Sequence, residues 1–261
     1  MRIIGARVWH TAVMAEVDFR ARYSRQIRLA QVGEGGQRRL REARVFIVGM
    51  GGLGSPAAMY LTAAGVGHLT LADFDRVDES NLQRQIIHAH ADIGELKAAS
   101  AAATLRALNP QVEVETLDYS LDLDDLMECA ADVDLMLDCT DNFPTRFEMN
   151  RVSRLTKTPL VSGAAIRWEG QVTAFDPRAP ESPCYRCLYP DDSVDAATCA
   201  MEGVIAPLVG VIGAMQALEA VNILLENAQL PGVMWLFDAR AMEWQRMRLP
   251  KNPNCAECGD G

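Results

Sequence analysis

The chain has 261 residues, 49% of them apolar and 23% charged, an ordinary globular composition and long enough to bury one large α/β core. Its formal net charge is −10, from 25 cations against 35 anions. That balance excludes a broad nucleic-acid-gripping face and a cationic membrane-surface binder.

The first residues, 1–14, lack the continuous apolar core of an export signal. Met14 is an alternative start, so residues 1–14 read as an N-terminal extension and 15–261 as a single domain. Seven cysteines are then expected in a cytoplasmic setting, as metal ligands, nucleophiles or core residues before disulfides. From Phe19 to Arg44 the chain carries eight arginines and is expected to form short helices ending in a loop around Gly33–Gly36. Arg44–Val48 is a β-branched strand, followed by a glycine-rich turn and a helix over Ser55–Ala64 closed by Gly65. Strand His68–Asp73, an Ala-rich helix Glu95–Leu108 stopped by Asn109-Pro110, and strand Val112–Leu117 come next. A short helix Leu123–Ala130 precedes Val133–Asp138, a continuous apolar run suited to burial on both faces. Helix Phe143–Thr156 has Pro144 in its first turn, where proline is tolerated, and Pro159–Ile166 is a further strand. Gln171–Phe175, Met234–Phe237 and Glu243–Arg248 read as strands with less helix between them. The apolar run Val204–Leu218 is shorter than a membrane span and reads as a buried helix with a kinked start. The alternation predicts an α/β fold: a Rossmann-like, doubly wound, mostly parallel sheet with an antiparallel C-terminal extension.

Gly49, Gly51 and Gly54 form G-x-G-x-x-G between a strand and a helix. This pattern permits a tight turn, close approach of a phosphate to the backbone and tight helix–strand packing. Asp73 ends the next strand, placed to accept hydrogen bonds from ribose hydroxyls. Alone, these features point to a nucleotide and favour NAD, as in a nicotinamide oxidoreductase. Arg84 and Lys97 shift the balance. Only three of the 25 cations are lysines, and two cations beside an Asp-terminated strand suit a polyphosphate longer than a pyrophosphate. Asp141, beyond the carboxyl end of the fourth parallel strand, can hold Mg²⁺ while Asn142 caps the next helix. Cys184-x-x-Cys187 and Cys255-x-x-Cys258 have the knuckle spacing of a tetrahedral four-cysteine zinc site. Two redox C-x-x-C motifs are the competing reading. Cys199 follows an Asp-rich loop (Asp191, Asp192, Asp195), whereas Cys129 and Cys139 lie in apolar runs and are expected in the core.

Six separated motifs, among them G-M-G-G-L-G-S, D-F-D-x-V-x-x-S-N-L-Q-R-Q, Lys97 and L-D-C-T-D-N, resemble the ThiF/MoeB/HesA family of ubiquitin-activating-enzyme-like adenylyltransferases. The resemblance runs from about Arg22 to Gly259. It implies ATP-dependent adenylylation of the C-terminal Gly-Gly carboxylate of a ubiquitin-like sulfur-carrier protein. Pyrophosphate would be released, ahead of thiocarboxylate formation for molybdopterin or thiamine thiazole biosynthesis. By the same resemblance, Gly52 and its neighbours lie over the ATP phosphates, Asp73 meets the ribose, and Asp141 meets Mg²⁺. The phosphate ligands come from the Ser80-Asn81-Leu82-Gln83-Arg84 segment and Lys97. Arg25 reaches into the partner subunit's site, which implies a homodimer. Cys199 matches a cysteine that can receive the activated carboxyl or sulfur. Val161–Ile166 with Glu169-Gly170-Gln171 leans towards the molybdopterin branch and its MoaD-like carrier. Leu188-Tyr189-Pro190 and Leu236-Phe237-Asp238 lean towards the thiamine branch and its ThiS-like carrier. A separate protein is expected to donate the sulfur. A tRNA-modifying relative that activates a carboxyl on a modified adenosine is a further alternative, to which the acidic charge is unsuited.

Overall fold

The computed structural model describes residues 19–190, 202–227 and 232–259. A first helix, α1 (19–27), leads into α2 (Gly33–Glu42) and then into alternating elements. These are β1 (Arg44–Val48), α3 (Gly54–Ala64), β2 (His68–Ala72), α4 (Lys97–Leu108), β3 (Glu113–Leu117), α5 (Leu123–Ala131), β4 (Leu135–Asp138), α6 (Phe143–Thr156) and β5 (Leu160–Ile166). They are followed by β6 (Glu169–Phe175), the single-turn α7 (Tyr185–Leu188), the long helix α8 (Ala206–Leu224), β7 (Val233–Asp238) and β8 (Glu243–Arg248).

The eight strands form one sheet in the order β3-β2-β1-β4-β5-β6-β7-β8. Every pairing from β3 to β5 is parallel, and the pairings of β6, β7 and β8 are antiparallel. This is the predicted fold class. From β1 the chain proceeds outward to β2 and β3, then returns to place β4 on the other side. The crevice between the carboxyl ends of β1 and β4 is therefore a switch point, where open α/β sheets bind ligands. The register sets Val48, Ala72 and Asp138 level with one another at that edge, with Ser162 paired to Asp138.

Side chains alternate across the sheet, as the two-residue period demands. Val45 and Ile47 of β1 join one core cluster with Leu61 of α3, Leu105 of α4 and Ile212 of α8. Phe46 and Val48 join the other with Leu126 of α5, Met149 and Val152 of α6, and Tyr185. Strand β4 is buried along its whole length, and each such aliphatic side chain contributes about 1.5–3 kcal/mol. Local signals set the helix ends. Asp122 and Asp125 form a capping box at α5, Asn142 caps α6 through the Thr145 N–H at 3.0 Å, and Gly65 closes α3 in the left-handed conformation.

Three expectations need correction. Gly33–Gly36 is the first turn of α2 rather than a loop, because Gln37 and Leu40 of that helix bury against the body of the fold. The apolar helix is 19 residues, Ala206–Leu224, and Pro207 sits in its first turn. It is long and apolar enough to cross a bilayer, yet Leu208, Ile212, Ala220 and Ile223 are packed in the core. Cys139 is buried as expected, but Cys129 is only half-buried, on α5 at the rim of its cluster. Cys199 and the Asp-rich segment Asp191–Asp195 lie outside the described residues, as do residues 1–18.

Candidate active site

The glycine turn follows β1 directly. Gly49 adopts φ +95°, and a Cβ there would meet the Cys139 carbonyl oxygen at 2.7 Å. At Gly54 a Cβ would lie 1.9 Å from the Gly49 oxygen. Both positions admit only glycine, which lets the turn tuck under β4 and start α3 in the same space. The Met50 N–H donates to Asp73 Oδ2 at 2.7 Å and the Asp75 N–H to Asp73 Oδ1 at 2.9 Å. Burial pushes the Asp73 carboxyl above its ordinary value, against the pull of the Met50 amide and the Lys97 charge.

A cavity of about 720 Å³ opens above these strand ends, a size typical of ligand sites. Gly49, Gly51, Gly52, Asp73, Gln83, Arg84, Lys97, Asp141 and Asn142 all line it. Lys97 is buried at the start of α4, with Nζ 2.8 Å from Asp75 Oδ2. Arg84 donates to the Ser80 carbonyl at 3.1 Å. The Asp141 carboxylate is exposed in the crevice, and among the described residues it has no partner, as a cation ligand requires.

Other residues of the motifs stand back from the wall. Ser80, Asn81 and Leu82 build the turn that presents Gln83 and Arg84. Asp78 anchors that turn by accepting the Ser80 N–H at 2.9 Å and its hydroxyl at 2.6 Å. Gly54 acts through packing. Arg25 is exposed on α1, which docks at the other end of α3: Tyr23 packs against Gly65, and Gln26 donates to the Ala64 carbonyl at 2.9 Å. The 11 residues of α3 separate that end from the glycine turn by about 16 Å.

The structure adds residues that sequence patterns missed. Arg146, 7% exposed, also lines the cavity. It donates to the Thr140 carbonyl, to the Gly163 carbonyl at 3.0 Å and to the Tyr185 hydroxyl at 3.4 Å. Its Nε lies 3.7 Å from Asp138 Oδ2. Burial works against the Arg146 charge, but Asp138, Tyr185 and Tyr189 together more than offset it, and the guanidinium stays protonated. Asp138 accepts the Thr140 N–H at 3.0 Å, the Thr140 hydroxyl at 2.7 Å and the Ser162 hydroxyl at 2.6 Å. This buried pair fixes the β4 terminus, Asp138, three residues before Asp141; leaving either charge alone would cost several kcal/mol. One signal was available in the sequence: a cation in the first turn of α6 opposes the helix dipole and calls for a partner.

The four cysteines of the two knuckles converge, with all sulfurs within 4.8 Å of one another. Cys184 Sγ lies 3.6 Å from Cys255 Sγ, and Cys187 Sγ lies 3.3 Å from Cys258 Sγ. Thiolates about 2.3 Å from one tetrahedral zinc sit about 3.8 Å apart, so the donor set fits that ion. The Asn252 N–H points at Cys187 Sγ from 3.4 Å, the kind of outer-shell donor that supports a thiolate. Between the first two cysteines, Tyr185 donates its N–H to Asn150 Oδ1 at 2.7 Å and its hydroxyl meets Arg146. The cluster thus braces the crevice.

The ThiF family profile matches residues 23–257. The molybdopterin-synthase adenylyltransferase of Salmonella typhimurium is 46% identical over 239 residues, covering 91% of this chain and 96% of that protein. The SAMP-activating enzyme E1 of Haloferax volcanii is 44% identical over 243 residues, covering 92% and 89%. The sulfur carrier protein ThiS adenylyltransferase of Escherichia coli is 42% identical over 246 residues, covering 94% and 97%. Among solved structures, E. coli MccB with ATP superposes with a TM-score of 0.79 at 21% identity, covering 91% of this chain and 74% of that one. That likeness concerns the fold alone.

Proposed function

Because the chain belongs to the ThiF family, we propose that it uses ATP to adenylylate the C-terminal Gly-Gly carboxylate of a ubiquitin-like sulfur-carrier protein. The observation that carries this reading is the single continuous cavity. Its wall includes the glycine turn, Asp73, Lys97 and Asp141 and also Ala164, Gln171, Tyr189 and Leu236 of the antiparallel half of the fold. The charged and glycine-rich part of that wall suits a nucleotide, and the remainder offers contacts to the end of a bound peptide.

The chemistry needs few special groups. A carboxylate oxygen of the carrier attacks the α-phosphorus of ATP. A new C–O–P bond forms as the bond from that phosphorus to pyrophosphate breaks. The attacking carboxylate is already ionised at pH 7, so no general base is required. The protein's work is to align the attack and offset phosphate charge. Arg84 and Lys97 line the cavity for that purpose, with the glycine-turn amides beside them. Asp141 would hold Mg²⁺, which when bound supplies charge neutralisation on phosphate oxygens. The four cysteines would hold a structural zinc ion. A nicotinamide enzyme would leave Arg84, Lys97 and Asp141 without work.

The placing of Arg25 at the far end of α3 supports a role in a second copy's site rather than its own, and hence a homodimer. Relatives that act in both the molybdopterin and thiamine branches are similar to the chain, so carriers of MoaD type and ThiS type are both substrates to try. A separate sulfur donor would complete the thiocarboxylate. The deciding experiment is ATP–pyrophosphate exchange dependent on each carrier, with Asp141→Ala as control. Exchange with one carrier and its loss in the folded variant are expected. Binding of NAD without ATP, or no exchange with any Gly-Gly carrier, would refute the reading.

A further inference from the structure

We propose that His88 is a positioning residue for the phosphate loop, clamping the Met50 carbonyl and tying the glycine turn to the helix that carries Lys97. The inference rests on the nucleotide reading above and concerns His88, Ser100 and Asp92, which stand behind the cavity wall described above.

His88 is buried in the turn after Gln85. Its Nε2 lies 3.0 Å from the Met50 carbonyl oxygen and its Nδ1 lies 2.8 Å from Ser100 Oγ. Ser100 sits one turn into α4, three residues after Lys97, and its Oγ is 2.9 Å from Asp92 Oδ2. Asp92 is anchored in turn by the Ala89 N–H at 2.8 Å. On the other side, the Met50 N–H is held by Asp73. Both peptide planes flanking Met50 are therefore fixed, one by Asp73 and one by His88. In a trans peptide the C=O and the following N–H point in opposite directions. Holding the Met50 C=O against His88 thus turns the Gly51 N–H away from the ring. Gly51 lines the cavity, and among the described residues its N–H has no acceptor. An oriented, unpaired loop N–H is what an anion needs.

The ring's protonation agrees with this role. Burial and the Lys97 charge lower the His88 pKa, against Asp73, Asp92 and the Met50 bond. At pH 7 the ring is neutral with one N–H. A carbonyl can only accept, so that proton belongs on Nε2, a tautomer assigned from its partner. Nδ1 is then an acceptor, and the one Ser100 hydroxyl proton serves either it or Asp92 Oδ2 at any moment. A histidine that merely fills space would not need a donor at Nε2.

The test compares His88→Gln, His88→Asn and His88→Leu. Glutamine carries an N–H donor to about the reach of Nε2; asparagine is too short and leucine has none. In carrier-dependent exchange, the KM for ATP is expected to rise on the order of tenfold in the Leu and Asn variants. The KM for the carrier should stay near wild type and Gln should restore ATP affinity, while the unpaired Met50 carbonyl lowers the melting temperature of the Leu and Asn variants somewhat. A purely structural role would lower stability but leave KM alone. If the Leu variant fails to fold, the polar Gln and Asn pair decides. Calorimetric ATP affinity in His88→Leu or His88→Asn within about twofold of wild type, or a loss shared equally by Gln, overturns the assignment. A wild-type chain that binds no ATP overturns the nucleotide reading, and this inference with it.

Discussion

Gly54→Ala tests the coupling between packing and the site most directly. The added Cβ would lie 1.9 Å from the Gly49 oxygen, where contacts under 3.0 Å are not tolerated. The glycine turn or the start of α3 must therefore move by about 1.1 Å, the gap between those two distances. Overpacking of this kind costs about 1–3 kcal/mol, and the value should fall near the top because the obstructing atom is backbone. For a chain of this size that is a drop in melting temperature of about 6–12 °C. The same displacement moves the loop amides relative to any phosphate, and a misplacement near 1 Å can reduce a rate about 100-fold. Urea unfolding and carrier-dependent pyrophosphate exchange would read the two effects separately. Gly35→Ala is the matched control: its Cβ meets nothing within 4 Å, it lies within α2, and it should stabilise the chain by about 0.5–1 kcal/mol. A Gly54→Ala protein with wild-type stability and undiminished exchange would refute the packing account of the loop.

Arg25→Ala and Asp141→Ala should each lose exchange, but a refolded equal mixture should regain about a quarter of wild-type activity. Half of its dimers would be mixed, and each of those would hold one intact site; a mixture as inactive as its parts would place Arg25 outside the partner's site. Cys184→Ala should release metal from about one zinc per chain towards none and lower thermal stability, since structural zinc contributes folding energy directly. Cys129→Ala, on the half-buried face of α5, should leave metal content unchanged; purified wild-type protein without zinc would exclude the assignment. Asn142→Ala removes the acceptor of the Thr145 N–H and should cost about 1 kcal/mol, read as a fall of about 2–4 °C in melting temperature.

Where local chemistry decides an element, the sequence was legible. Arg44–Val48 and Glu243–Arg248 are strands at the expected bounds, and α6 starts and stops where Asn142, Pro144 and the chain after Thr156 dictate. Misreadings arose where tertiary burial overrode local preference. The three glycines at the start of α2 look like a loop until Gln37 and Leu40 are seen to pack. The apolar run breaks at Glu219, yet α8 continues to Leu224, where Ala220 and Ile223 pack in the core and Glu219 accepts a hydrogen bond from Trp235. The site divides in the same way. Contiguous motifs disclosed the glycine turn, Asp73, Arg84, Lys97 and Asp141. Arg146, His88 and Gln216 act through partners far along the chain. Gln216 donates from α8 to the Asp138 carbonyl at 2.7 Å, a meeting of elements that no local spacing encodes.

The cysteine cluster ties a remote stretch of chain to the wall of the cavity. Residues 255–258 supply half of the sulfurs, and the other half flank Tyr185, whose hydroxyl steadies the cation beneath Thr140. On the zinc reading, deleting those few residues or treating the protein with a chelator would loosen the crevice from behind while leaving Asp73, Lys97 and Asp141 untouched.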